Sequence, residues 1–160
     1  MFDLSKSELE PLRADGEPIL CRGRSRDDNS PVTELDLPSI RADFVQLQQV
    51  LLNLVMNAIE SMATTTDRPR VLHVQSRLDP HAGGPAVLVA VCDSGVGLTP
   101  EEMVQVFEAF YSTKPEGMGM GLWICRSRGE AHGGLLAARP NDAGGATFQF
   151  VLPSSPEGRA

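Results

Sequence analysis

No stretch of this chain approaches the run of roughly 18 apolar residues that a membrane-spanning helix requires, and its N-terminus lacks the basic-then-apolar pattern of a secretory signal. Clusters of positive charge are equally missing: 14 Lys and Arg stand against 21 Asp and Glu, for a formal net charge of -7. Nucleic acid and anionic membrane surfaces need concentrated Lys and Arg, so neither is an expected partner. Cysteine is scarce, and Cys21, Cys92 and Cys125 fall at no metal-ligand spacing. An odd count of this kind reads as reduced thiols in a soluble, cytoplasmic chain. Internal repeats and low-complexity tracts are absent as well.

What is present fits one globular domain, because 160 residues at 41% hydrophobic content can bury a proper core. Residues 1–35 are charged and broken by Gly16, Pro18 and Pro31, and read as a loosely held leader with at most a partial strand. Residues 36–152 carry the periodic patterns, and 153–160 read as a flexible tail.

Within that domain, Leu47, Val50, Leu51, Leu54, Ala58 and Met62 recur at helical spacing, predicting a helix over Phe44 to Met62. Val71 to Gln75 reads as a strand, and Ala86 to Cys92 is a continuous apolar run suited to a central strand. Thr99-Pro100-Glu101-Glu102 combines a cap, a proline and first-turn acids, so a short helix should follow. A further helix is expected from about Gly121 to Ala131, then strands near Leu135 to Ala138 and Ala146 to Val151.

Three segments carry chemistry. On the long helix, an advance of about 100° per residue sets Gln46, Gln49, Asn53, Asn57 and Glu60 within roughly 80° of one another, apart from the apolar face. Amides offer both donors and acceptors, so Asn53 and Asn57 suit a hard cation and phosphate oxygens together. Asp93 stands where the central strand ends, with Gly95 and Gly97 leaving the space beside it open; a carboxylate there can accept the N6 amino group of adenine. Lys114 precedes Gly117, Gly119 and Gly121, and Leu122 opens the apolar run behind them. Such a loop turns backbone N–H groups toward an anion, at the positive end of the following helix.

In this order and spacing the segments resemble a known family. Gln49 to Ala58, Asp93 to Leu98 and Gly117 to Leu122 are similar to the asparagine box and the two glycine boxes of sensor histidine kinases. Phe107 to Lys114 resembles their phenylalanine box, and Gly145 to Phe148 their final glycine-threonine element. The resemblance implies a Bergerat-type ATP-binding fold, a two-layer α/β sandwich in which helices cover one face of a mixed sheet and a mobile lid closes over ATP.

It also implies roles. Asp93 would bind adenine, supported by Gly97 and Thr147, while Asn57 would hold Mg²⁺ and Asn53 would assist at the phosphates or metal. Gly117, Gly119 and Gly121 would supply lid N–H groups and Lys114 a point charge, with Phe107 and Phe110 anchoring the lid in the core. The implied activity is transfer of the γ-phosphoryl group to a histidine on a separate dimerisation and phosphoacceptor domain, and through it to a response regulator. The alternatives are an anti-sigma-type protein-serine kinase and a non-catalytic, ATP-dependent conformational module. DNA gyrase B subunits, MutL proteins and heat-shock chaperones carry an acidic general base where this chain has Asn53, which disfavours hydrolysis by water.

The chain departs from the family in places. Glu60 replaces a basic residue common in histidine kinases, and Arg128-Gly129 replaces an apolar pair, which predicts a shortened helix after the lid. None of His73, His81 and His132 has the setting of a phosphoacceptor, so self-labelling is not expected.

Overall fold

A computed structural model of the chain describes residues 37–79, 84–113, 117–141 and 144–154. The expected leader, His81 and Lys114 lie outside the described residues. Among the described residues, three helices and four strands follow in the order α1 (Phe44–Met62), β1 (Leu72–Asp79), β2 (Ala86–Asp93), α2 (Pro100–Gln105), α3 (Gly121–Ala131), β3 (Leu135–Pro140) and β4 (Ala146–Pro153).

Each helix carries its own boundary signals. Asp43 caps α1 by accepting from the Gln46 N–H at 3.0 Å, and Thr99 and Glu102 close a capping box on α2. Gly133, at φ 69°, ends α3 in a left-handed turn, with the Gly133 and Gly134 N–H groups returning to the carbonyls of Glu130 and Gly129. His132 then ties the helices together. Its Nε2 accepts the Asp43 N–H at 3.1 Å, and its Nδ1, 2.8 Å from the Arg128 carbonyl, donates to it.

The strands form one sheet in the order β1-β2-β4-β3. Every pair among them is antiparallel, where a mixed sheet was expected. The reason lies in the connections: β2 and β3 are joined by the long passage through α2, the glycine-rich loop and α3, and β4 enters between them, antiparallel to both. β4 reaches Pro153, and Ser154 bridges Ile40, so the ordered strand extends past the expected start of the tail.

Both α1 and α3 pack on one face of the sheet. Val50, Leu54 and Ala58 of α1 and Cys125 of α3 meet Val91, Leu136, Phe148, Phe150 and Leu152 there. Leu51, expected on this apolar face, lies at its margin and is 39% exposed. The opposite face buries Ala86, Leu88, Ala90, Cys92 and Val151. Burial pushes the Cys125 thiol above its ordinary pKa, with the Asn53 side-chain hydrogen bond opposing. Cys92 is disulfide-bonded, so among the described cysteines the expected free thiol is Cys125 alone.

The expected shortening of α3 does not occur, because Gly129 is where the helix touches the sheet. A Cβ at Gly129 would stand 2.8 Å from Cε2 of Phe150, a ring that is itself buried. Ala is better than Gly in a helix by about 1 kcal/mol, but overpacking a core costs roughly 1–3 kcal/mol. Gly129→Ala is therefore expected to lower the thermal unfolding midpoint despite its helix propensity; a rise would show that Phe150 yields freely.

Candidate functional site

The site forms where the C-terminal half of α1 crosses the end of β2. Asp93, the last residue of β2, is 4% exposed. Its Oδ1 accepts from Ser61 Oγ at 2.9 Å, the Gly95 N–H at 2.8 Å and the Ala146 N–H at 3.3 Å. These donors come from α1, from the turn after β2 and from the first residue of β4. Oδ2 accepts from none of the described residues. One oxygen is thus fixed by the fold, and the other is not engaged by it.

Beside Asp93 opens a cavity of about 530 Å³, within the range of small-molecule sites. Asn57, Glu60 and Ser61 line it from α1, Gly97 and Leu98 from the turn after β2, and Gly117 to Leu122 from the glycine-rich loop and the start of α3. Phe148 and Ala146 close the wall on β4. Asp93, Asn57, Gly97, Gly117, Gly119, Gly121 and Leu122, singled out from the sequence, therefore surround one space.

Four other expectations meet a different geometry. Asn53 lies off the cavity wall, on the side of α1 toward Cys125 of α3, whose thiol pKa its side chain lowers. The space at Gly95 is not open: a Cβ there would stand 2.7 Å from the Ser61 carbonyl carbon, so this glycine lets α1 rest on the turn. Thr147 is fully buried and points to the opposite face of the sheet from Ala146 and Phe148, since side chains alternate along a strand. Its hydroxyl donates to Asn141 Oδ1, and Asn141 Nδ2 donates to the Asp93 carbonyl at 2.8 Å. Thr147 thus acts on Asp93 from behind.

Phe110 is the fourth. Phe107 is buried and meets Phe148 edge-to-face with centroids 6.2 Å apart, whereas Phe110 is 80% exposed and anchors nothing in the core. Its backbone does the work instead. At φ 68° it donates its N–H to the Gly119 carbonyl at 3.0 Å, closing the base of the glycine-rich loop. Gly119, itself at φ 65°, approaches so closely that a Cβ would stand 2.6 Å from the Tyr111 carbonyl oxygen.

Ser61, Arg68 and Asn141 were not singled out from the sequence. Ser61 carried a signal, since it follows Asn57 by one helical turn and borders the amide stripe. Arg68 and Asn141 sit in loops and meet Asp93 and its turn only through the fold.

The arrangement suits a nucleotide. A carboxylate accepts from an exocyclic amino group, and glycine-rich backbone at the start of a helix accommodates phosphates. Among the described residues no group of His, Cys, Asp and Glu could hold a metal by itself. A divalent cation at the Asn57 amide oxygen would draw its remaining ligands from phosphates and water, as Mg²⁺ commonly does.

Comparison with known proteins agrees with this geometry. The model of the histidine kinase-, DNA gyrase B- and HSP90-like ATPase family matches residues 42–156. The sensor histidine kinase TmoS of Ectopseudomonas mendocina is 41% identical over 119 residues, covering 74% of this chain and 12% of TmoS. The sensor protein FixL of Bradyrhizobium diazoefficiens is 43% identical over 118 residues, covering 74% of this chain and 22% of FixL. The chain thus spans under a quarter of these relatives' lengths. Among solved structures, the catalytic domain of histidine kinase ThkA aligns with TM-score 0.61 at 35% identity, covering 75% of this chain and 74% of that one. Full-length ShkA in complex with AMPPNP aligns with TM-score 0.58 at 33% identity, covering 73% of this chain and 23% of ShkA.

Ser61→Ala removes one of the donors to Oδ1 and leaves two backbone N–H groups. A lost hydrogen bond to a charged group is worth about 1.5–3 kcal/mol, less when other donors remain. ADP binding is expected to weaken by about threefold to tenfold, read by titration calorimetry; unchanged affinity would show that the backbone donors alone fix Asp93.

Proposed function

Because the chain belongs to the histidine kinase-, DNA gyrase B- and HSP90-like ATPase family, we propose that it is the ATP-binding catalytic domain of a sensor histidine kinase. In this reading it binds Mg-ATP and donates the γ-phosphoryl group to a histidine on a separate dimerisation and phosphoacceptor domain. The observation that carries the reading is the Asp93 carboxylate, fixed through Oδ1 and facing a nucleotide-sized cavity. TmoS and ThkA are histidine kinases by name, which favours histidine over serine as the acceptor.

Asp93 Oδ2 accepts the adenine N6 amino group, and Gly97 allows the base to lie against the turn. Asn57, on the cavity wall, offers its amide oxygen to Mg²⁺. Gly117, Gly119 and Gly121 present backbone N–H groups from a mobile lid, Leu122 packs behind them, and Lys114 adds a point charge to the terminal phosphate. Mg²⁺, when bound, supplies neutralisation of the phosphate charge. Transfer of this kind is mostly positioning and charge stabilisation, so the acceptor must be presented in line by another domain. The domain works in the cytoplasm, where a response regulator receives the phosphoryl group from the labelled histidine.

The base contact is tested by calorimetry. ATP should bind and GTP should not compete, because guanine places an acceptor, O6, where adenine has a donor. Asp93→Asn should weaken ATP binding about 100-fold, since a hydrogen bond to a charged acceptor is lost and an N–H group faces N6. Equal affinity for ATP and GTP would overturn the assignment.

Metal and transfer are tested together. Asn57→Ala should damage ATP binding in Mg²⁺ more than metal-free ADP binding; equal losses would remove Asn57 as the metal ligand. The unsubstituted chain should not label itself, yet should place acid-labile phosphate on histidine of an added phosphoacceptor domain. Labelled serine would favour the anti-sigma-type kinase, and tight binding without transfer to any offered partner the conformational module.

A further inference from the structure

The loop between α1 and β1 carries an arginine whose guanidinium reaches the turn after β2. Arg68 Nε donates to the Ser94 carbonyl at 3.1 Å, and its Nη2 donates to the Gly95 carbonyl at 2.8 Å. The carbonyl of Ser94 and the N–H of Gly95 belong to one peptide group, and in a trans peptide they point in opposite directions. Arg68 therefore holds the oxygen side of the very peptide whose N–H donates to Asp93 Oδ1 at 2.8 Å.

Two neighbouring features keep the guanidinium in this place. Gly144 leaves it room, since a Cβ there would stand 2.7 Å from Arg68 Cζ. Ser94 Oγ donates to the Pro69 carbonyl at 2.9 Å and accepts the Val71 N–H at 2.8 Å, strapping the turn to the chain on either side of Arg70. Arg70 in turn holds the loop to the end of α1, donating to the carbonyls of Thr65 and Ala63 at 3.1 and 2.8 Å. The arginine loop is thus fixed at one end to the helix that lines the cavity and at the other to the turn that aims its carboxylate.

We propose that Arg68 is a positioning residue for base selection: it orients and polarises the Ser94–Gly95 peptide, which in turn fixes the Asp93 carboxylate for an aminopurine. The proposal rests on the nucleotide reading above and adds a residue to it that does not touch the ligand. A hydrogen bond from a cation to a carbonyl strengthens the bond made by the N–H of the same peptide, because chained hydrogen bonds polarise one another. A guanidinium suits the task, because it engages both carbonyls at once and remains charged at any physiological pH. Lysine would reach one carbonyl as a point charge, and glutamine would supply a weaker, neutral donor.

The test compares the unsubstituted chain with Arg68→Gln and Arg68→Lys. Amide exchange without nucleotide is followed at Gly95, with Leu54 in the core of α1 reporting global stability. Arg68→Gln is expected to speed Gly95 exchange about tenfold relative to Leu54, with Arg68→Lys between the two. The preference for ADP over GDP, measured by calorimetry, should fall about tenfold in Arg68→Gln and recover in part in Arg68→Lys. Unchanged Gly95 exchange, or equal acceleration at Gly95 and Leu54, would overturn the positioning role and leave Arg68 a plain loop staple. So would an unchanged ADP-to-GDP ratio beside a uniform loss of affinity. If the unsubstituted chain bound no ADP, the nucleotide reading would fall and base selection by Arg68 with it, whereas Gly95 exchange would still report whether the peptide is held.

Discussion

The structure is organised around one buried carboxylate. An ionised group taken out of water is costly unless its hydrogen bonds are supplied by the protein, and Asp93 is 4% exposed. Its donors are a helix hydroxyl, a turn N–H and a strand N–H, brought from positions 61, 95 and 146 of the chain. They converge only when α1, β2 and β4 are all in place. Satisfying Asp93 is therefore inseparable from assembling the domain, and the fold alone holds the carboxylate in place.

That convergence explains why small residues surround it. Gly95 lets α1 rest on the turn at a distance no side chain permits, and Gly145, at φ 91°, lies so close to the Asp93 carbonyl that a Cβ would collide with it. Behind the strand, Thr147 and Asn141 pass one more hydrogen bond to the same carbonyl. Backbone and side chain of Asp93 are thus held independently. A rotation that freed the carboxylate would break the three bonds at Oδ1 and leave the one at the carbonyl intact.

Much of this was legible in the sequence. The bounds of α1 followed from its apolar periodicity, because that signal is local. Asp93 and Asn57 were legible because their neighbours repeat a spaced pattern. The role of Gly95 was misread as open space, since a glycine reports only that something comes close and not whether it is ligand or protein. Phe110 was misread for a similar reason: aromatic spacing says nothing about a left-handed φ of 68° that turns the ring outward. Arg68 and Asn141 left no local trace at all, because their partners lie 26 and 48 positions away and are set by strand pairing.

The two ends of the cavity are built on different principles, and this bears on how the proposed binding and transfer would divide. The base end is over-determined: Asp93, its turn and the start of β4 are cross-braced through side chains and backbone. The phosphate end is made of Gly117 to Gly121, joined at its base by the Phe110 to Gly119 hydrogen bond and contributing few side chains of its own. Glycine adopts positive and negative φ about equally readily, so glycine-rich backbone has more conformations open to it. In the proposed function, the rigid end at Asp93 would fix which nucleotide enters, while the glycine-rich end would adjust to whatever presents the acceptor. On that proposal, selectivity would be settled by this domain alone and the geometry of transfer jointly with a partner. A site whose phosphate end was braced as firmly as Asp93 would resist that second adjustment, so the contrast between its two ends fits a domain that binds by itself and transfers in company.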